Sequence, residues 1–160
     1  MESWAAALAI AQLAQEGEQE NGVDRALIEA FGGRTITELE GAAAQLAIFD
    51  RLPEKEQRDL LDAVVTEASS NDAAANSMLV DWSRGELKKL ERSTARGILA
   101  DPELRDALLI RRNQAWATKL EKLLGAKERP LVAVGAGHMV GSEGLPSLLE
   151  EAGYEVVRVE

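Results

Sequence analysis

Apolar positions recur with helical spacing through most of the chain, and the period changes only in a few short stretches. Trp4, Leu8, Ala11 and Gln12 or Leu13 share one face across residues 3–16, which predicts an amphipathic helix that stops at Gly17. After Asn21-Gly22 the spacing returns through Val23, Leu27, Ile28 and Phe31, and Gly32-Gly33 supplies the residue that helix C-termini favour. Arg34 to Glu40 is different. It alternates and carries β-branched residues, so a short strand is expected there. From Gly41 to about Gly125 the pattern is helical again, with breaks at Leu52-Pro53, around Ser69 to Asp72, near Gly97 and at Asp101-Pro102. Asn71 or Asp72 can start a helix, while Asp101-Pro102 joins an N-cap residue to a proline in the first helical position.

The last segment reads as strand, helix and strand: Leu131 to Val134 is fully apolar, Gly144 to Ala152 is helical, and Tyr154 to Val159 is valine-rich. So short a crossover predicts two parallel, buried strands. The expected fold is α/β, mainly helical by content. A small, mostly parallel sheet of Arg34–Glu40, Leu131–Val134 and Glu155–Val159 lies under a large helical layer, all in a single domain spanning 1–160. Such a sheet leaves an unpaired edge, and bare edges recruit other chains, so a homo-oligomer is expected.

Composition narrows the partners. With 18 Lys+Arg against 28 Asp+Glu, the net charge of -10 repels phosphate backbones and anionic membranes, so neither nucleic acid nor a membrane surface is an expected partner. The absence of cysteine removes disulfide and thiolate chemistry and permits a reducing compartment. Glu2 precedes the apolar run from Trp4 to Leu13 and the acidic stretch Glu16 to Glu20 follows it, so no signal peptide is read there and a cytoplasmic-type, soluble chain is expected. The acidic stretch itself reads as a solvated loop.

Candidate chemistry gathers at Val134-Gly135-Ala136-Gly137-His138-Met139-Val140-Gly141, where the apolar strand meets a helix. Glycines in that place let the backbone turn sharply and approach a ligand closely, making Gly135, Gly137 and Gly141 a candidate binding loop. A dinucleotide fingerprint is the first alternative, with Glu160 as the acidic partner. Its spacing, GxGxxxG, matches that pattern poorly, and no second half follows to hold a dinucleotide. His138, the only histidine, is the second candidate, as a ligand or acid-base group; the plainer alternative is a loop histidine bonded to backbone.

The stretch from Pro130, PLVAVGAGHMVGSEGLPSLLEEAGYEVVRV, resembles the carboxy-terminal signature of the TraB/GumN family: a GxxH motif, then Gly-Leu, then Gly-Tyr and a valine-rich strand. Other stretches agree in order: Trp4 with its Ala/Leu-rich helix, Gly22-Val23-Asp24, Leu39-Glu40 with Gln45 and Phe49, and Arg112-Asn113 ahead of Trp116-Ala117. The family resembles the Tiki and ChaN-like group, in which two GxxH motifs face each other with an acidic residue in a metal-dependent, protease-like hydrolase site. This sequence holds only the second motif, Gly135 to His138, so the resemblance implies a carboxy-terminal portion.

The resemblance implies roles residue by residue. His138 would be ligand or acid-base group, Glu40 ligand or base, and Arg112 and Asn113 would orient a peptide or protein substrate. A divalent metal, zinc or manganese, would sit on His138 and Glu40. Those are few ligands for zinc, which usually takes three protein side chains and a water. The chain alone is therefore expected to be silent, or to serve as a binding or regulatory module. Glu40 has a second reading as a cap for the helix that starts at Gly41. Arg111-Arg112 has one as a solvent-facing pair, and Trp82 and Trp116 read as core anchors.

Overall fold

A computed structural model describes residues 2–14, 23–69, 73–126 and 129–159. The expected acidic loop at 16–20, the Asn21-Gly22 turn, the Asn71 or Asp72 cap and Glu160 lie outside them. The helices are α1 (Ser3–Ala14), α2 (Val23–Ala30), α3 (Ala42–Asp50), α4 (Glu54–Ser69), α5 (Ala73–Ser83), α6 (Leu87–Ser93), α7 (Pro102–Arg105), α8 (Arg111–Gly125) and α9 (Leu145–Glu151). Short 3-10 turns occupy Gly97–Ala100 and Ala136–Met139, and a π turn at Asp106–Ile110 joins α7 to α8 in one continuous rod.

The rod starts where the sequence says it does. The Asp101 carboxylate accepts from the Glu103 and Leu104 amides at 3.0 and 2.9 Å, with Pro102 in the first turn. This satisfies amide donors that a helix start leaves open.

Two apolar clusters hold the helices together, and the rod contributes to both. In the first, Ala7 of α1 packs with Leu52, with Leu60 and Val64 of α4, and with Leu104 of the rod; Trp4, Phe49, Ala107 and Leu108 lie against them. Helix α4 carries two ion pairs on its exposed face, Lys55 with Asp59 at 2.6 Å and Arg58 with Glu54 at 2.9 Å, each at a spacing of four residues. In the second cluster, Trp116, Ala117 and Leu120 of α8 pack on Leu145 of α9, with Leu39, Val134, Leu148 and Leu149 around them.

The expected sheet is absent. Among the described residues there is no strand: the fold is mainly helical, not α/β. Arg34–Glu40, Leu131–Val134 and Glu155–Val159 form no regular element, and among the described residues no backbone hydrogen bond joins one of the three to another. The reason is that a strand is defined by its ladder, and alternation or apolar character supplies no partner. Val157 is 69% and Val159 88% exposed, so these valines, read as buried strand, face water instead, while Val134 packs in the second cluster. Without a sheet there is no sheet edge, so the ground on which an oligomer was expected falls away. No helix among the described residues is long and apolar enough to cross a membrane.

Candidate functional site

The rod brings the chemistry of the chain to one place. Arg105 and Asn113 are eight positions apart, a spacing that would set them about 80° apart around a regular α-helix. The π turn between them absorbs one residue, so the separation behaves as about seven, close to two turns of 3.6. Both side chains accordingly reach Glu143. Arg105 donates through Nε (3.0 Å) and Nη2 to the Glu143 carboxylate, and Asn113 Nδ2 donates to the Glu143 carbonyl at 2.6 Å. The third arm of Arg105, Nη1, donates to the Thr94 carbonyl at 2.5 Å.

Asn113 is fully buried, at 0% exposure, and its other amide atom meets the histidine: His138 Nδ1 lies 2.5 Å from Asn113 Oδ1. A backbone carbonyl can only accept, so the Asn113 nitrogen must face Glu143 and its oxygen must face the ring. That oxygen in turn needs a donor. Nδ1 therefore carries the proton of neutral His138, and Nε2 is left with a lone pair that no hydrogen bond among the described residues occupies.

Glu40 and Arg112 form an ion pair beside the histidine. Arg112 clasps Glu40 through Nη2 on Oε1 at 2.5 Å and Nε on Oε2 at 3.2 Å, and Nη1 donates to the Leu108 carbonyl at 3.0 Å. Its guanidinium lies 4.7 Å over the Trp116 ring, whose other neighbour is the His138 ring at 4.5 Å. Lys119 holds the same segment by donating to the Leu39 carbonyl. Burial pushes the His138 pKa down to about 4; the nearby Arg112 charge adds to that and Glu40 opposes it. The ring is neutral at pH 7.

The structure thus brings Glu40, Arg112, Asn113 and His138 together. Several details of the expectation change. Glu40 does not cap α3, whose N-cap is Gly41 with no side-chain cap bond. Arg111 is exposed and paired with Asp106 at 2.6 Å, while Arg112 points inward. Trp116 is a core anchor at 6% exposure, but Trp82 is 52% exposed. Of the glycines in the candidate loop, Gly141 needs its residue type, with φ at +77°, whereas Gly135 sits at φ −58°. A tighter position was missed: a Cβ on Gly144 would lie 2.7 Å from the Val140 carbonyl oxygen. Arg105 and Glu143 were missed too. Their side chains are 38 positions apart in sequence, and no local pattern pairs them.

Beyond the histidine loop, Ala136 and Gly137 form one wall of an apolar cavity of about 350 Å³ shared with Met78, Leu79, Trp82, Leu90 and Leu99. Metal donors are sparse. Among the described residues no group of three His, Cys, Asp or Glu side chains is placed to hold an ion, and both Glu40 oxygens already accept from Arg112.

With this geometry in view, comparison with known proteins is decisive on one point. The model of the TraB/PrgY/gumN family matches residues 1–158. The chain belongs to that family. It is also 32% identical over 132 residues to the uncharacterised protein YbaP of Escherichia coli K12, and equally to YbaP of Shigella flexneri. Each match covers 81% of this chain and 48% of the relative, so the chain spans about half the length of the curated relatives it matches. No solved structure matches. In this TraB/PrgY/gumN chain all four converging residues fall inside the matched region.

Proposed function

We propose that this TraB/PrgY/gumN domain contributes the histidine side of a hydrolase-type site, and that the chain is catalytically silent by itself. The observation that supports it is the Asn113 clamp, which leaves neutral His138 with Nε2 as its available nitrogen. A fixed neutral imidazole with one free lone pair can accept a proton from an attacking water or bind a cation. Hydrogen bonding at the far nitrogen is how proteins commonly orient such a ring.

The donor set does not fit a zinc or manganese centre carried by this chain alone. His138 offers one nitrogen, and Glu40 would have to be shared with Arg112, against the three protein ligands usual for catalytic zinc. What the chain's residues do is hold one imidazole in one orientation beside an ion pair that fixes the local charge.

Calorimetric titration with zinc and manganese, on this chain and on His138→Ala, tests the silent reading. No tight stoichiometric uptake in either protein is expected; uptake by the first that His138→Ala loses would overturn it. Carbethoxylation of His138, the only histidine, tests the free nitrogen. The rate should stay level from about pH 7 down to about pH 5, because the ring is already neutral there. A rate that halves near the ordinary histidine pKa, or no reaction at all, would sink the reading.

A further inference from the structure

Asn113 can select the histidine tautomer only if the Glu143 carbonyl stays where Nδ2 meets it, and that depends on residues the site does not otherwise use. Residues 140–144 form a closed turn. Gly144 N donates to the Gly141 carbonyl at 3.1 Å, Ser147 Oγ donates to the same carbonyl at 2.9 Å, and Gly144 is packed against the Val140 backbone so closely that no side chain fits. Such a turn moves as a body. Its polar attachments to the rod, among the described residues, both run through Glu143: the side chain to Arg105 and the main chain to Asn113. Arg105 is itself held by the Thr94 carbonyl at the end of α6, so its guanidinium is anchored on both sides.

We infer that Arg105 and Glu143 are positioning residues for His138: their ion pair seats the 140–144 turn so that the Glu143 carbonyl holds the Asn113 amide, which in turn keeps the proton on Nδ1 and the lone pair on Nε2. Among the described residues no hydrogen bond joins the side chains of the pair to the ring. The pair's effect is carried by a backbone carbonyl and a carboxamide, in series. Charge-assisted bonds from a guanidinium are among the stronger side-chain contacts, and the guanidinium's planar fork gives them direction as well as strength. The inference rests on the neutral, Nδ1-protonated histidine proposed above and adds what enforces it.

Long-range nitrogen–proton NMR spectra of the single histidine read the tautomer directly, at a pH where the ring is neutral. The full chain should show a protonated Nδ1 and a bare Nε2. In Glu143→Gln and Arg105→Gln the ratio of Nδ1–H to Nε2–H forms should fall about tenfold, equivalent to about 1.4 kcal/mol. The double variant should lose no more than either single one, while circular dichroism stays that of the parent. Arg105→Lys keeps a cation beside Glu143 and should recover part of the ratio. An unchanged ratio in both single variants would overturn the positioning inference and leave the reading of the site intact. A protonated Nε2 in the parent chain would overturn both. If Arg105→Gln loses the helical signal, the isosteric Glu143→Gln alone decides the matter.

Discussion

Gln57 and Asn113 are both carboxamides buried on helices, one in each apolar cluster, and they tie together different kinds of group. Gln57 Nε2 donates to the Leu52 carbonyl at 2.9 Å and its Oε1 lies 3.5 Å from the Trp4 amide, so it joins backbone to backbone. Asn113 joins a backbone carbonyl to a titratable ring. The tryptophans differ in parallel. Trp4 stacks on Phe49 at 6.3 Å and 17°, an apolar pairing, whereas Trp116 contacts both the Arg112 guanidinium and the His138 imidazole. The same residue types thus serve closure in the first cluster and orientation in the second, and what separates the roles is whether the partner can change its protonation.

The comparison breaks most severely at the first cluster. Leu60 is 2% exposed, and Leu60→Ala should destabilise the fold by about 2–5 kcal/mol in urea unfolding, through lost burial and the cavity left behind. Its histidine spectrum should be that of the parent. A changed tautomer in Leu60→Ala would mean that the two clusters are not separable.

Next come the two carboxamides. Gln57→Ala and Asn113→Ala each leave buried groups without partners, at about 1–3 kcal/mol for each group orphaned. Their stability losses should be comparable. Only Asn113→Ala should release the proton from Nδ1, and equal NMR behaviour in the two variants would erase the distinction drawn between them.

Smaller effects sharpen the electrostatic side of the second cluster. Arg112→Met removes a charge that holds the His138 pKa down, so the NMR titration midpoint should rise from about 4. It should stop short of the ordinary 6.5 because burial, the largest cause, remains. Glu40→Gln removes the opposing influence and should move the midpoint lower still. A downward shift in Arg112→Met would show that the guanidinium does not act on the ring through its charge.

The remaining effect is the pH dependence of folding. The folded-state pKa of His138 is depressed, so its contribution to stability is complete above about pH 6.5 and is lost as pH falls towards about 4, where the unfolded chain takes up a proton that the folded chain refuses. Urea midpoints of the parent should fall across that window more steeply than those of His138→Ala. Parallel curves would show that the histidine is not held neutral by the fold.

Much of this molecule was determined locally. The Asp101-Pro102 start and the inward side of α4 follow from capping and from 3.6-residue periodicity, which act within a turn or two of chain, whereas the face expected for α1 is only partly right: Ala7 is its buried residue, with Trp4, Ile10 and Ala11 beside it, and Leu13 is 87% exposed. Residue type and its glycine-rich setting marked His138 as a group capable of chemistry, while Glu40, Arg112 and Asn113 were marked only through the family resemblance. Tertiary structure decided what those groups do. Glu40 is a partner to Arg112 and not a helix cap, Asn113 selects the proton position on His138, and the π turn brings Arg105 and Asn113 to the same peptide. The valine-rich segments at 131–134 and 155–159 show the converse: their pattern fits a strand, yet no ladder forms among the described residues. The reason is common to both. Strand pairing and site geometry depend on contacts such as Arg112 with Glu40, 72 positions apart, and no local pattern contains the partner at the other end.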